Sequence, residues 1–191
     1  KKRLSDKWEL RAHLKYDHSW NRYEDVNVKY TDNKQIDVDR QDEYYGSATI
    51  GWHPIHNLSI SLAQDLAVNS LRNNINLSPN PLRFSSLTAM SAQLQLGRLA
   101  LNGNLVNTYI TESVSNGDKP DDRKRLSPSL SLSYRLLKDE ALYVRTSYKS
   151  TFRVPTFNDL YYLRMGNTGL RPEKAREYGM GLTWSMRPFR C

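Results

Sequence analysis

The chain has 191 residues and carries 28 Lys+Arg against 20 Asp+Glu, a formal net charge of +8. Its single cysteine, Cys191, excludes an internal disulfide framework or a thiolate metal site within one chain. No apolar run approaches the ~18 residues of a membrane helix, and no Lys/Arg run exceeds three residues, so a basic balance without a recognition motif argues against a nucleic-acid partner.

In chain order, eight segments alternate apolar and polar residues with the period of a β-strand, whose side chains point to opposite faces in turn. Segment 7–16 sets Trp8, Leu10, Ala12, Leu14 and Tyr16 against Lys7, Glu9, Arg11, His13 and Lys15. Segment 43–52 sets Tyr44, Gly46, Ala48, Ile50 and Trp52 against Glu43, Tyr45, Ser47, Thr49 and Gly51. Segment 58–70 has one exception on its apolar side, Gln64, among Leu58, Ile60, Leu62, Leu66 and Val68. Segment 86–96 sets Met90, Ala92, Leu94 and Leu96 against Ser91, Gln93 and Gln95, while segment 99–111 begins in phase and loses it after Val106. Segment 125–137 is the most regular, with Leu126, Pro128, Leu130, Leu132, Tyr134 and Leu136 opposite a row of serines. Segments 141–150 and 176–186 close the series, the last with Tyr178, Met180, Leu182, Trp184 and Met186 on one side.

The connections alternate as strictly as the residues. Short links (53–57, 97–98, 138–140) take turns with long polar ones (17–42, 71–85, 112–124, 151–175). Outer-membrane barrels have this asymmetry, tight periplasmic turns at one end and longer external loops at the other. Trp8, Tyr16, Trp52, Tyr134 and Trp184 fall near strand ends, where interfacial girdle residues belong. The reading is an all-β, antiparallel transmembrane barrel. A soluble β-sheet protein is the competing one, and low mean hydropathy does not exclude a barrel, since only every second residue meets lipid.

No catalytic constellation stands out. The four histidines, His13, His18, His53 and His56, are scattered, and no Gly-x-Ser-x-Gly elbow activates a serine. The carboxylates Asp25, Asp32, Asp37, Asp39 and Asp42 lack EF-hand spacing and read as a solvated acidic loop. No metal and no cofactor are expected. The inward-facing Lys7, Arg11, Lys15, Arg145 and Lys149 are expected to make the polar wall positive.

One stretch goes beyond pattern. Residues 147–162 run Ser-Tyr-Lys-Ser-Thr-Phe-Arg-Val-Pro-Thr-Phe-Asn-Asp-Leu-Tyr-Tyr, and residues 166–178 run Gly-Asn-Thr-Gly-Leu-Arg-Pro-Glu-Lys-Ala-Arg-Glu-Tyr. The pair resembles the barrel of TonB-dependent outer-membrane receptors. There a Phe-Arg-x-Pro-Thr-like segment ends in Leu-Tyr, and a Gly-Asn-x-x-Leu-x-Pro-Glu segment leads into the next strand. The first signature falls on Phe152, Arg153, Pro155, Thr156, Leu160 and Tyr161; the second on Gly166, Asn167, Leu170, Pro172 and Glu173. These residues are expected to be structural, fixing how an external loop descends into the barrel. Ligand contact is expected instead at Tyr161, Tyr162, Arg164 and Met165 between them. The family often continues Tyr-Glu-x-Gly, whereas this chain has Tyr178-Gly179-Met180-Gly181 and lacks that acid.

The resemblance implies uptake of a scarce nutrient, a vitamin B12-type corrinoid or a ferric siderophore, across a Gram-negative outer membrane. It implies membrane lipid and the TonB complex as partners and no enzymatic step. With no TonB box and no plug region in the sequence, the chain reads as eight strands of a barrel of about 22. A small self-closed eight-stranded barrel with a structural or adhesive role is the alternative, and an embedded hydrolase a more distant one.

Overall fold

The computed structural model describes residues 2–25, 35–74, 78–137, 141–162 and 166–185. These form one antiparallel sheet, with strands β1 (Lys2–Arg3), β2 (Trp8–Asp25), β3 (Gln35–Ile55), β4 (Leu58–Asn73) and β5 (Leu82–Leu96) followed by β6 (Leu99–Ser113), β7 (Arg123–Arg135), β8 (Ala141–Arg153) and β9 (Glu173–Ser185). A five-residue helix, α1 (Phe157–Tyr161), lies between β8 and β9. Each strand pairs with its sequence neighbours, in the order β1 to β9. Eight of the nine strands are the eight alternating segments; β1 is an addition of two residues.

The register keeps all the apolar rows on one face. Trp8 pairs with Trp52, Ile50 with Leu62, Leu62 with Met90, and Met90 with Leu105. A slip of one residue would turn a whole strand inside out, so this matching is what the alternation demands. The apolar face has no second layer upon it: Leu14 is 91% and Met180 85% exposed. Gln64 breaks this face without an orphaned amide, accepting from Thr88 Oγ1 at 2.6 Å and donating to Ser86 Oγ at 2.9 Å.

Stacked tryptophans Trp8 and Trp52, 5.8 Å apart, mark the end with short turns, and the tyrosine pair Tyr16 and Tyr44 the other. One hydrogen-bonded row runs from Trp8 and Trp52 through Ile60, Ala92, Gly103 and Leu130 to Tyr148 and Tyr178. A row that leaves the tryptophan end and arrives among tyrosines means the strands are slanted.

Two expectations need correction. Residues 17–42 are mostly strand, since the β2–β3 ladder continues from Tyr16↔Tyr44 to Asp25↔Gln35. Past the tyrosines the face that was apolar mixes His18, Arg22, Asp42 and Arg40 with Trp20 and Val38, so alternation fades although pairing does not. Cross-strand bonds hold the extension: Tyr16 donates to Asp42 Oδ1 at 2.9 Å, and His18 Nδ1 lies 2.7 Å from the same oxygen. The loss of phase after Val106 is likewise no slip, because β6 stays in register with both neighbours through Ile110.

Among the described residues, no ladder joins β9 to β1 or β2. The eight long strands therefore form an open piece of wall, not the self-closed small barrel. Gly97, at φ +53°, makes the tight β5–β6 turn, which an L-residue with a Cβ adopts only under strain.

Candidate functional site

Tight burial is concentrated on the polar face at the end bearing the long connections. Leu160 is only 2% exposed, and Phe157, Ile110, Thr108, Ser85 and Pro81 are buried near that end. Here the connection from β8 turns back over the sheet. The β7–β8 ladder stops at Ser129↔Lys149, although β7 reaches Arg123 and β8 reaches Arg153.

The connection is built by local chemistry. Thr156 caps α1: its Oγ1 accepts from the Asp159 amide at 3.3 Å, and the Thr156 amide donates to Asp159 Oδ2 at 2.7 Å. This reciprocal pair satisfies two amides that a helix start leaves open. The Thr156 amide, then its hydroxyl, hold the Asp159 carboxyl below its ordinary pKa. Pro155 supplies a carbonyl that accepts from Arg83 Nη2 at 2.8 Å. The helix places Phe157 and Leu160 on its buried side, with the Arg83 guanidinium 4.7 Å from the Phe157 ring centre.

At the centre is Glu112 on β6, its side chain 1% exposed. Arg83 and Arg123 each reach Oε1 at 2.8 Å, and Tyr161 donates its hydroxyl to Oε2 at 2.6 Å. A buried carboxylate needs this company, since an unpaired charge at such a site costs several kcal/mol, on the order of 3–5. Burial first, then the bond to Glu112, raise the pKa of the Tyr161 phenol. Two arginines against one carboxylate leave the cluster net positive, and Arg123 Nη2 is buried with no hydrogen-bond partner.

The second signature closes the loop. A Cβ on Gly166 would stand 2.6 Å from the Tyr162 amide nitrogen, 2.7 Å from the Leu160 carbonyl oxygen and 2.8 Å from the Tyr161 nitrogen. Only glycine fits that approach. The Gly166 amide donates to the Tyr162 carbonyl at 2.7 Å, and Asn167 donates to the Asp159 carbonyl at 3.0 Å. The Asn167 side chain then accepts from the Gly169 amide at 2.8 Å. Arg153 and Glu173 face each other as the last register pair of β8 and β9, 3.8 Å apart and both largely exposed. Phe152 and Pro172 are partly buried, Leu170 exposed.

The sequence-derived ligand residues thus separate. Tyr161 is tied to Glu112, whereas the Tyr162 side chain is 57% exposed beside it. Arg164 and Met165 lie outside the described residues. Arg83, Glu112 and Arg123 carried no motif and were not anticipated. Their trace in the sequence is the apparent phase loss, because Val106 and Ile110 put apolar side chains on the polar face, Ile110 buried two positions before Glu112.

The polar wall is less positive than its lysines and arginines imply. Arg11 pairs with Glu9, and Lys15 Nζ lies 3.0 Å from Glu43. Asp39 accepts from Asn73 on the same wall. At Gly179, where the family often has an acid, a Cβ would lie 2.6 Å from Ser147 Oγ.

A family model described as TonB dependent receptor-like, beta-barrel, matches residues 2–190. A search of curated proteins gives no match. The family is one of outer-membrane receptors and transporters of Gram-negative bacteria, and its wall strands correspond to this sheet. The chain belongs to the TonB-dependent receptor β-barrel family.

Proposed function

We propose that this chain supplies wall and external loops to a receptor that captures a scarce nutrient, a vitamin B12-type corrinoid or a ferric siderophore. The apolar face meets outer-membrane lipid, the short turns point to the periplasm and the polar face lines the lumen. Release of the ligand is driven by the TonB complex acting through a plug domain outside this chain. The wall performs no chemistry of its own.

The observation that carries this reading is the seated helix. Held by Thr156, Leu160 and Tyr161, α1 forms a rigid platform over the lumen wall, and the chain leaves it at the exposed Tyr162. Rigid support under an exposed aromatic is a favourable arrangement for stacking on a bulky ligand, because little side-chain freedom is lost on binding. Arg164 and Met165 follow after Leu163 and add a positive charge and an adaptable apolar group. Tyr161 contributes by position, through Glu112. The connections between β4 and β5 and between β6 and β7, both at the end with the long links, are stitched together, Ser115 donating its amide to the Pro79 carbonyl at 2.7 Å. Compact loops of this kind favour the corrinoid.

The test is titration of the purified full-length receptor with cyanocobalamin and, separately, with the ferric siderophore ferrichrome, read by quenching of intrinsic fluorescence. Saturable binding of one is expected, weakened up to about tenfold by Tyr162→Ala, the loss of one aromatic contact. Failure of both ligands to bind overturns the ligand assignment; unchanged affinity in the variant removes Tyr162 from the site.

A further inference from the structure

The dipeptide Asn-Gly occurs twice in the chain, at Asn102-Gly103 and at Asn116-Gly117. Chemically the two are alike: a glycine has no side chain to shield its amide nitrogen, which can attack the preceding asparagine side chain. The fold separates them. Asn102 and Gly103 lie inside β6, paired with Gln93 and Ala92 on β5 and with Ser131 and Leu130 on β7. Ladders on both sides keep that backbone extended and engage its amides, and Asn102 Nδ2 donates to Ser131 Oγ at 3.4 Å. Asn116 and Gly117 lie in the connection between β6 and β7, outside any strand, and both are exposed. Gly117 sits in a bend at φ +81°, and its amide makes no hydrogen bond with a described residue.

Asn116 also has a structural task. Ser78 is only 8% exposed, and its carbonyl accepts from Asn116 Nδ2 at 3.4 Å. Ser115 Oγ and Asn80 Nδ2 donate to the same oxygen, each at 3.3 Å. These bonds flank the one from the Ser115 amide to the Pro79 carbonyl and fasten the β6–β7 connection to the β4–β5 connection.

We infer that Asn116 is a site of spontaneous deamidation, with water as its co-reactant, and that the reaction unfastens these two connections. Hydroxide takes the Gly117 amide proton, and the nitrogen bonds to the Asn116 side-chain carbonyl carbon. The bond from that carbon to Nδ2 breaks, and the nitrogen leaves as ammonia with a proton from water, which restores the hydroxide. Water then opens the cyclic imide at either carbonyl, giving an aspartyl or an isoaspartyl residue at position 116. The product has lost the donor that served the Ser78 carbonyl and sets a charged acceptor against that acceptor. The isoaspartyl form also lengthens the backbone by one atom beside the Ser115 stitch.

The experiment incubates the detergent-purified full-length receptor in warm, mildly alkaline buffer, with a cold, mildly acidic sample as reference. Peptide mapping by mass spectrometry reads both Asn-Gly sites, and isoaspartyl methyltransferase labels the isoaspartyl product. Position 116 is expected to convert while position 102 stays an amide. Conversion at 102 that keeps pace with 116 overturns the site. So does an intact Asn116 in the receptor while a synthetic peptide of residues 113–119 deamidates in the same buffer. The unfastening is read by hydrogen exchange, with all samples returned to the same pH. The Ser115 amide should exchange up to about tenfold faster in the incubated receptor and in Asn116→Asp, the net contribution of one hydrogen bond. Asn116→Gln keeps the amide but closes the imide ring far more slowly, so it should neither convert nor loosen. Unchanged Ser115 exchange in the incubated receptor or in Asn116→Asp, or equal loosening of incubated Asn116→Gln, overturns the unfastening.

Discussion

Tyr161 and Glu112 stand 49 positions apart in the chain, and the phenol donates to Glu112 Oε2 at 2.6 Å. Through that bond the connection leaving β8 is tied to a carboxylate on β6 that already holds Arg83 of β5 and Arg123 of β7. Four separate elements thus converge on one side chain, and the loop is anchored to strands it does not adjoin in sequence.

Glu112→Ala leaves two buried arginines facing each other, at a cost of about 3–5 kcal/mol. Tyr161→Phe removes one hydrogen bond to a charged acceptor and should cost less, about 1.5–3 kcal/mol. Denaturant midpoints of the receptor in lipid give the order. A larger loss for Tyr161→Phe than for Glu112→Ala would contradict the hub.

Gly166→Ala forces a Cβ against three backbone atoms, none of which is the end of a flexible side chain. The loop must reopen, at about 1–3 kcal/mol, and limited proteolysis should cut between α1 and β9 faster than in the parent. The strands should stay protected. Unchanged cleavage would mean that the loop does not fold back upon the helix end.

The Asp159 carboxyl is held below its ordinary pKa by Thr156. The cap is therefore fully stabilising above the ordinary value of 3.8 and weakens as pH falls through the lower folded value. Hydrogen exchange of the α1 amides should accelerate on acidification over that range. Thr156→Ala should lower protection at neutral pH, at about 1 kcal/mol, and flatten the pH dependence.

Leu62 faces the apolar side near the middle of β4, and Ser61 faces the lumen. Leu62→Arg should destabilise the receptor in a bilayer by about 2–4 kcal/mol, and Ser61→Arg by much less. Equilibrium unfolding from lipid vesicles measures both. Equal losses would sink the assignment of the two faces.

The wall was legible because its physics is local. Lipid on one side and water on the other impose a period of two, and Trp8, Leu62 or Leu132 reveal their face without any partner. The extension of β2 and β3 beyond Tyr16 and Tyr44 was not legible, since water on both sides removes the period while the ladder persists. The loop signatures marked Thr156, Leu160, Tyr161 and Gly166, and each has a physical reason to be what it is. Their socket stayed hidden. Arg83, Glu112 and Arg123 come together only through the register of three strands, and Val106 and Ile110 looked like disorder in a pattern although β6 never leaves its register.

The row from Trp8 to Tyr178 also serves as a protractor. It crosses seven strand spacings, about 34 Å, while β2 climbs from its tryptophan to its tyrosine in eight residues, about 27 Å. Their ratio inclines the strands at about 40° to the membrane normal, within the range such barrels adopt. That angle depends on stagger per strand and not on how many strands complete the circuit. Eight strands therefore fix the pitch of the entire staircase, and every residue's depth in the bilayer can be read off from its step.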